Sequence, residues 1–421
     1  MMQLHSKTLP NKLRIRVVEM PGSNAVTSLV LVGAGSRYEE KEISGISHFL
    51  EHMFFKGGEI YTTPKMVSET IDALGAECNA FTSKEFVGYY VKSGKRHLDT
   101  SLDVLSDMLI SAKFPPEEIE KERGVILEEM AMYLDLPMYQ VGWDFENLLF
   151  GDQPIGRDEI GTKELITTVT QQDFFDYKNA LYTPENTVII LAGAVTESDI
   201  ARIEKHFAFE NGVRSKNALA YDPALASERF SIRIRPTEQY HLHFGVVGLS
   251  LRDERYPVQL LLSTILGGNM SSRMFQHVRE ALGLCYSIRT SSTGYTDVGV
   301  LTTRAGVKLG KVHDALAAIR YEYDRAAQEG VTEEELRKAQ SYLCGKEDLQ
   351  TEDTEQVALH YGLNQLLHER DESFEDLKKK INAVTTDQLN SLATELFAPE
   401  RYNLALIGPD IDDAKAREAI S

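Results

Sequence analysis

Two histidines and a glutamate stand together in His48-Phe49-Leu50-Glu51-His52. On a helix, residues four apart share a face, so both imidazoles point to one place and Glu51 lies beside them. Neutral imidazole is a good zinc ligand, and a catalytic zinc site keeps one position open for water. A metal brings the pKa of such a water towards neutrality, and a nearby carboxylate can take its proton. The order H-x-x-E-H is that of an inverted zincin. These five residues therefore propose a zinc-dependent peptidase with Glu51 as general base. A surface charge cluster is the plainer alternative. Against it, Phe49, Leu50, Met53 and Phe54 make the helix largely apolar, and burying two histidines and a glutamate without partners is costly.

A third protein ligand is needed. The segment 117–132 reads as a helix carrying Glu122, Glu128 and Glu129. Glu122 and Glu129 are seven apart and share a face, while Glu128 lies roughly 100° away. One of the pair could bind the metal and the other could steady a histidine from behind. A solvated face is the ordinary state of such glutamates, and spacing alone does not choose.

Those residues need a scaffold, and composition bounds it. The chain has 421 residues, 42% hydrophobic and 26% charged, which suits a globular protein of two or more domains. Its net charge of −19 argues against nucleic-acid binding and against anionic membrane surfaces. Cys78, Cys285 and Cys344 are far apart and in apolar surroundings, so they read as buried free thiols. The first fourteen residues lack an apolar core of a secretory signal, and the longest apolar run, near 188–195, is far short of a membrane span. A reducing cytoplasm fits all of this.

The chain is written twice. Ala73 in Ile71-Asp72-Ala73-Leu74-Gly75 matches Ala281 in Arg279-Glu280-Ala281-Leu282-Gly283, 208 positions on, and Gly57-Gly58 matches Gly267-Gly268, 210 positions on. Late in each half a proline precedes an apolar strand and a glycine, Pro184 to Gly193 and Pro399 to Gly408. The expected organisation is a catalytic half over 1–210, a polar linker over 211–225 and a homologous half over 226–421. Strands at 13–18, 26–32 and 87–91, with helices at 44–55, 63–74, 98–111 and 117–132, give an α+β class in which helices cover mixed or antiparallel sheets.

The constellation resembles the pitrilysin family of zinc peptidases. The matching residues are His48-x-x-Glu51-His52 and, downstream, Glu122-Arg123-x-Val125-Ile126-Leu127-x-Glu129. The short two-half form looks most like bacterial relatives of the mitochondrial processing peptidase β subunit. The resemblance spans almost the whole chain, through 75–90, 151–162, 182–193, 266–286 and 399–408. It implies His48, His52 and Glu129 as ligands of one zinc ion per chain, Glu51 as base and Glu122 as support behind a ligand. It also implies a clamshell of two halves around an enclosed chamber.

At the 210 offset, His48, Glu51 and His52 meet Val258, Leu261 and Leu262, so the second copy cannot bind the metal. Read alone, Arg279 is a surface helix charge and Tyr286 a strand residue half in the core. The resemblance gives them a role at the substrate, with Tyr286 near the developing oxyanion and Arg279 on a peptide carbonyl. It also makes Cys78-Asn79-Ala80-Phe81-Thr82-Ser83 an edge strand that pairs with the peptide, through Asn79, Ala80, Phe81 and Thr82. Main-chain pairing requires an extended, unfolded peptide and tolerates many sequences. Tyr139 and Trp143 stand where the mitochondrial enzyme has acidic residues that select arginine, so an apolar or undefined preference is expected here. The expected partners are unfolded peptides and a second copy of the chain in a homodimer, with no nucleic acid and no membrane. A non-catalytic peptide-binding or scaffold protein of the same family is the competing reading.

Overall fold

The computed structural model describes residues 2–209, 212–226 and 228–418. The first half forms β1 (Gln3–Thr8), β2 (Arg14–Glu19), β3 (Ala25–Val32), β4 (Glu77–Thr82), β5 (Val87–Gly94) and β6 (Thr187–Gly193). Its helices are α1 (Ile46–Phe54), α2 (Pro64–Leu74), α3 (Leu98–Ile110), α4 (Pro116–Asp135), α5 (Pro137–Phe150), α6 (Lys163–Thr168), α7 (Gln171–Leu181) and α8 (Ile200–His206). The second half forms β7 (Phe230–Ile234), β8 (Tyr240–Gly248), β9 (Cys285–Gly294), β10 (Gly299–Val307) and β11 (Asn403–Gly408). It adds α9 (Tyr256–Ser263), α10 (Val312–Gln328), α11 (Glu333–Gln350), α12 (Thr354–His368), α13 (Phe374–Asn382), α14 (Thr386–Leu396) and α15 (Asp413–Glu418). The elements expected from the sequence are all present, with ends within three residues of the expected positions.

The sheets show the duplication directly. One is ordered β1-β2-β6-β3-β5-β4 and the other β7-β11-β8-β10-β9. In each, one parallel pair (β2 with β6, β7 with β11) joins an otherwise antiparallel ladder. Setting β1 aside, the two orders match strand for strand. The fold class is thus α+β with two homologous sheets, each covered by helices. The second copy of the ligand helix, α9, buries Val258, Leu261 and Leu262 in its core.

Burial explains how the sheets recruit their helices. β3 and β6 are buried along nearly their whole length, so both faces of the first sheet must be covered. Thr27 and Leu31 of β3, on one face, meet α12: Thr27 Oγ1 lies 2.8 Å from Thr354 Oγ1. A Cβ on Gly362 would come within 2.6 Å of Leu31 Cδ1, so glycine lets α12 lie close on the strand. In the second sheet, Ala405 and Ile407 of β11 pack with Val141, Phe145 and Leu149 of α5, whereas Leu404 and Leu406 join the core built with α10 and α14.

The covering helices are therefore exchanged along the sequence. The compact units are residues up to Met130, Arg157–Leu219 and Asp348–Ser373, and, for the other, Ala131–Gly156, Ala220–Glu347 and Phe374 onward. This corrects the contiguous division at 1–210 and 226–421, because α5 belongs with the second sheet and α12 with the first. A half-chain of either kind supplies helices to one face of its sheet and leaves the other face open. Asn211, at the start of the expected linker, lies outside the described residues. The thiols differ from expectation too: Cys285 is buried, but Cys78 and Cys344 are only half-buried, and all three are free. Among the described residues, no helix is long and apolar enough to cross a membrane.

The segment leading to Arg279 is held by a partly buried ion pair. Arg273 Nε and Nη2 reach Glu335 Oε1 and Oε2 at 2.6 and 2.8 Å, and Nη2 also donates to Gly330 O. Burial alone would push the Glu335 carboxyl up, but the Arg273 bonds and the Thr332 N–H hold it at about 2. Its folded value lies below its ordinary one, so it contributes stability above about pH 4.5 that is lost as the pH falls towards 2. Glu335→Gln leaves Arg273 buried with a weakened partner and is expected to lower the Tm at pH 7, by roughly 1.5–3 kcal/mol of stability. Thermal melts should show the gap from the parent narrowing as the pH drops from 5 to 3, and an equal gap at both would contradict this account.

Candidate metal centre

Helix α1 is amphipathic in the needed sense. Phe49, Leu50, Met53 and Phe54 are fully buried, and Phe54 packs against Tyr89, Phe114 and Tyr182. This fixes the rotation of the helix and leaves His48, Glu51 and His52 on the remaining face. The His48 and His52 rings meet edge to face with centroids 4.7 Å apart. Helix α4 supplies the other side. Its Glu122 and Glu129, two turns apart, both face α1, whereas Val125 is exposed.

His48, His52 and Glu129 each present a ligand atom, and these atoms lie within 4.8 Å of one another. Glu129 Oε2 is 3.8 Å from His48 Nε2 and 3.6 Å from His52 Nε2. Tetrahedral ligands at zinc bond lengths of ~2.05 Å stand roughly 3.3 Å apart, so the three are close to coordinating separations. The chemistry of the set, two imidazoles and a carboxylate, also fits zinc. His52 Nδ1 donates to Glu122 Oε1 at 2.8 Å, which leaves Nε2 as the lone-pair nitrogen facing Glu129. Glu122 in turn receives Lys56 on its other oxygen. His48 Nδ1 is buried without a hydrogen-bond partner, so packing alone orients that ring.

The electrostatics follow from burial and neighbours. Burial, then the charge of His52, lowers the His48 imidazole to about 4, which keeps it neutral and fit to ligate. Burial also works against charge on His52, but the Glu122 bond and the surrounding carboxylates outweigh it and raise its value. Glu51 is raised by burial, against the pull of a hydrogen bond from Thr82 Oγ1 to Oε2 at 2.5 Å. A carboxylate lifted in this way is better matched to taking a proton near neutral pH.

The edge-strand residues sit beside this centre. β4 ends the first sheet, so its outer side carries no strand. Asn79 is exposed, and its Oδ1 accepts the Ala80 N–H at 2.9 Å, so an incoming strand must displace that amide to use the N–H. Phe81 lies over Gly88 of β5, where an added Cβ would strike its ring at 2.1 Å; the ring fills the glycine's missing side chain. Thr82 is occupied by Glu51. Sequence reasoning missed this tie, and also Lys56 on Glu122, because neither pair is close in sequence.

Arg279 and Tyr286 belong to the other compact unit. Tyr286 is 80% exposed at the start of the edge strand β9. The Arg279 guanidinium lies over the Phe275 and Tyr286 rings, 4.4 and 5.6 Å from their centroids. The two are thus neighbours with free surface, not core residues. In the same unit, Tyr133 packs against Tyr139 and Trp143, with centroids 5.1 and 5.7 Å away.

Comparison with known proteins defines the class. Residues 14–148 match the family described as insulinase (peptidase family M16), and residues 168–343 match the peptidase M16 inactive domain. An uncharacterized zinc protease of Bacillus subtilis, YmxG, is 35% identical over 96% of this chain and 97% of its own length. An uncharacterized zinc protease of Streptomyces coelicolor is also 35% identical, over 97% of this chain and 90% of its own. The crystal structure of a protease from Helicobacter pylori superposes with a TM-score of 0.90 at 20% identity, covering 97% of this chain and 99% of that one. The chain belongs to peptidase family M16, the family its motifs resemble. The match of the second half to an inactive domain accords with the apolar Val258, Leu261 and Leu262.

Glu122→Gln removes the acceptor that orients His52. Losing such a partner typically costs 10–100-fold in metal affinity. Competition with a chromophoric chelator should show zinc binding weakened within that range, and parent-like affinity would exclude the role.

Proposed function

We propose that this chain is a metal-dependent endopeptidase that cleaves extended, unfolded peptides. The observation that carries the reading is the convergence of His48, His52 and Glu129 beside a base, Glu51, held by Thr82. One zinc ion per chain would be held by those three residues, with Glu122 orienting His52. When bound, zinc would supply Lewis-acid charge at the scissile carbonyl and an acidified water.

The chain's own residues do the rest. Glu51 takes the proton from the attacking water and can return it to the leaving amine. Thr82 fixes the rotamer of Glu51 through its hydroxyl. The open side of β4 would receive the peptide as an added strand, with main-chain bonds at Cys78, Ala80 and Thr82 and displacement of the Asn79 amide. Folded proteins offer no such free strand, which confines the substrate to unfolded segments. Arg279 and Tyr286 would bind and polarise the peptide backbone; the exposure of Tyr286 and the stacking of Arg279 on it support that, and the resemblance supplies the role. By the resemblance, Tyr139 and Trp143 stand where the mitochondrial enzyme has acidic residues, so an apolar or undefined preference is expected over a basic one. Pairing into a homodimer and a cytoplasmic setting rest on the sequence alone.

The competing reading is a non-catalytic peptide binder or scaffold. It needs neither a base nor three convergent ligands, and both are intact here. Glu51→Gln separates the two. It should abolish hydrolysis of an unfolded test peptide, with at least a hundredfold loss, while zinc content stays near one per chain. Parent-like cleavage by the variant would refute the mechanism, and no cleavage by the parent would favour the binder.

A further inference from the structure

Helix α1 has nine residues, and its N-cap, Gly45, carries no side chain to close the helix start. The closing group comes from elsewhere. Glu39 Oε2 accepts the Gly45 N–H at 2.6 Å and Oε1 accepts the Ser47 N–H at 2.8 Å. The next residue is the ligand His48. Ser47 Oγ lies 2.6 Å from Tyr177 OH, which donates to Gly35 O at 3.1 Å. Gly45 has φ 105, and a Cβ there would meet Ile160 O at 2.7 Å, so the chain enters the helix through a fixed gap.

The cap is a carboxylate, and its charge is expensive. Glu39 is 2% exposed. Burial pushes its carboxyl up to about 7, and the charged neighbour that acts on it, Glu159, is also acidic. A raised folded value means stability that is full below about pH 4.5 and lost as the pH rises through about 7. At neutral pH the ionised group therefore weakens the fold, although a neutral side chain could still accept one N–H. The charge does have a use at this place. The N-terminus of a helix carries partial positive charge, which repels a cation held within its first turns. His48, the third residue of α1, would hold its share of the ion on the first turn, whereas His52 lies in the last. A buried anion at Gly45 and Ser47 cancels that field in surroundings where water screens little.

We propose that Glu39 is a positioning residue for the metal centre: its ionised carboxylate closes the start of α1 and offsets the positive helix end beside His48, which favours a divalent cation at the site that His48 completes. This rests on the metal-site reading above. Glu159 acts on Glu39 only through charge, and Tyr177 and Ser47 share the hydrogen-bond network without contributing charge.

The test compares the full-length parent, Glu39→Gln and Glu39→Asp at pH 7.5. Zinc affinity is read by competition with a chromophoric chelator, and stability by melting the metal-free proteins. The proposal expects Glu39→Gln to bind zinc at least tenfold more weakly while its metal-free Tm equals or exceeds that of the parent. Glu39→Asp, which keeps the charge, should recover most of the affinity. Parent-like affinity in Glu39→Gln would overturn the proposal. So would a metal-free Glu39→Gln that melts well below the parent or does not fold, because the charge would then serve the fold. A parent that binds no zinc would instead refute the metal site itself, an outcome distinct from these.

Discussion

The structure of the site depends on one contact, the pairing of the polar face of α1 with the glutamate face of α4. His52 is the hinge of that contact. Its Nδ1 donates to Glu122 and its Nε2 faces Glu129, so one imidazole touches both glutamates of the facing helix. Neither helix could hold this face unaided. Fully buried Phe49, Leu50, Met53 and Phe54 anchor the opposite side of α1, and buried Ile119 and Ile126 flank the two glutamates on α4 at helical spacing. Each carboxylate or imidazole taken out of water here has a partner, except His48 Nδ1, and burial keeps His48 neutral.

The sheets set the second constraint. Strands buried on both faces need two helical layers, and each half of the sequence makes a full layer for one face alone. The exchange of α5 and α12 supplies the missing covers. It makes the first unit, which carries His48, His52, Glu51 and Glu129, depend on residues 348–373 of the second half. The second copy is retained without its ligands for a physical reason: α9 fills with Val258, Leu261 and Leu262 the face on which α1 carries the metal residues.

Much of this was legible in the sequence, for reasons that particular residues show. His48, Glu51 and His52 lie within one helical turn, so periodicity alone places them together. Glu122 and Glu129 share a face at seven-residue spacing, and the family resemblance paired that face with α1. The order of strands repeated because the sequence repeated. What stayed hidden depends on distance along the chain. Thr82 and Glu51 are 31 positions apart, Lys56 follows α1 while Glu122 lies on α4, and α12 reaches β3 across more than 300 residues. Nothing in the sequence singles out Glu39, since nothing local reveals that Gly45 and Ser47 turn their N–H groups towards it.

One metal ion, held by His48, His52 and Glu129, would make this chain a peptidase for unfolded peptides. Mass-spectrometric mapping of cuts in a mixed peptide library, with and without a chelator and with zinc restored, tests it most directly. Cuts are expected within extended peptides, enriched beside apolar side chains, and they should vanish with chelator and return with stoichiometric zinc. Cleavage that persists after the metal is stripped, or no cleavage by the zinc-loaded protein, would contradict it.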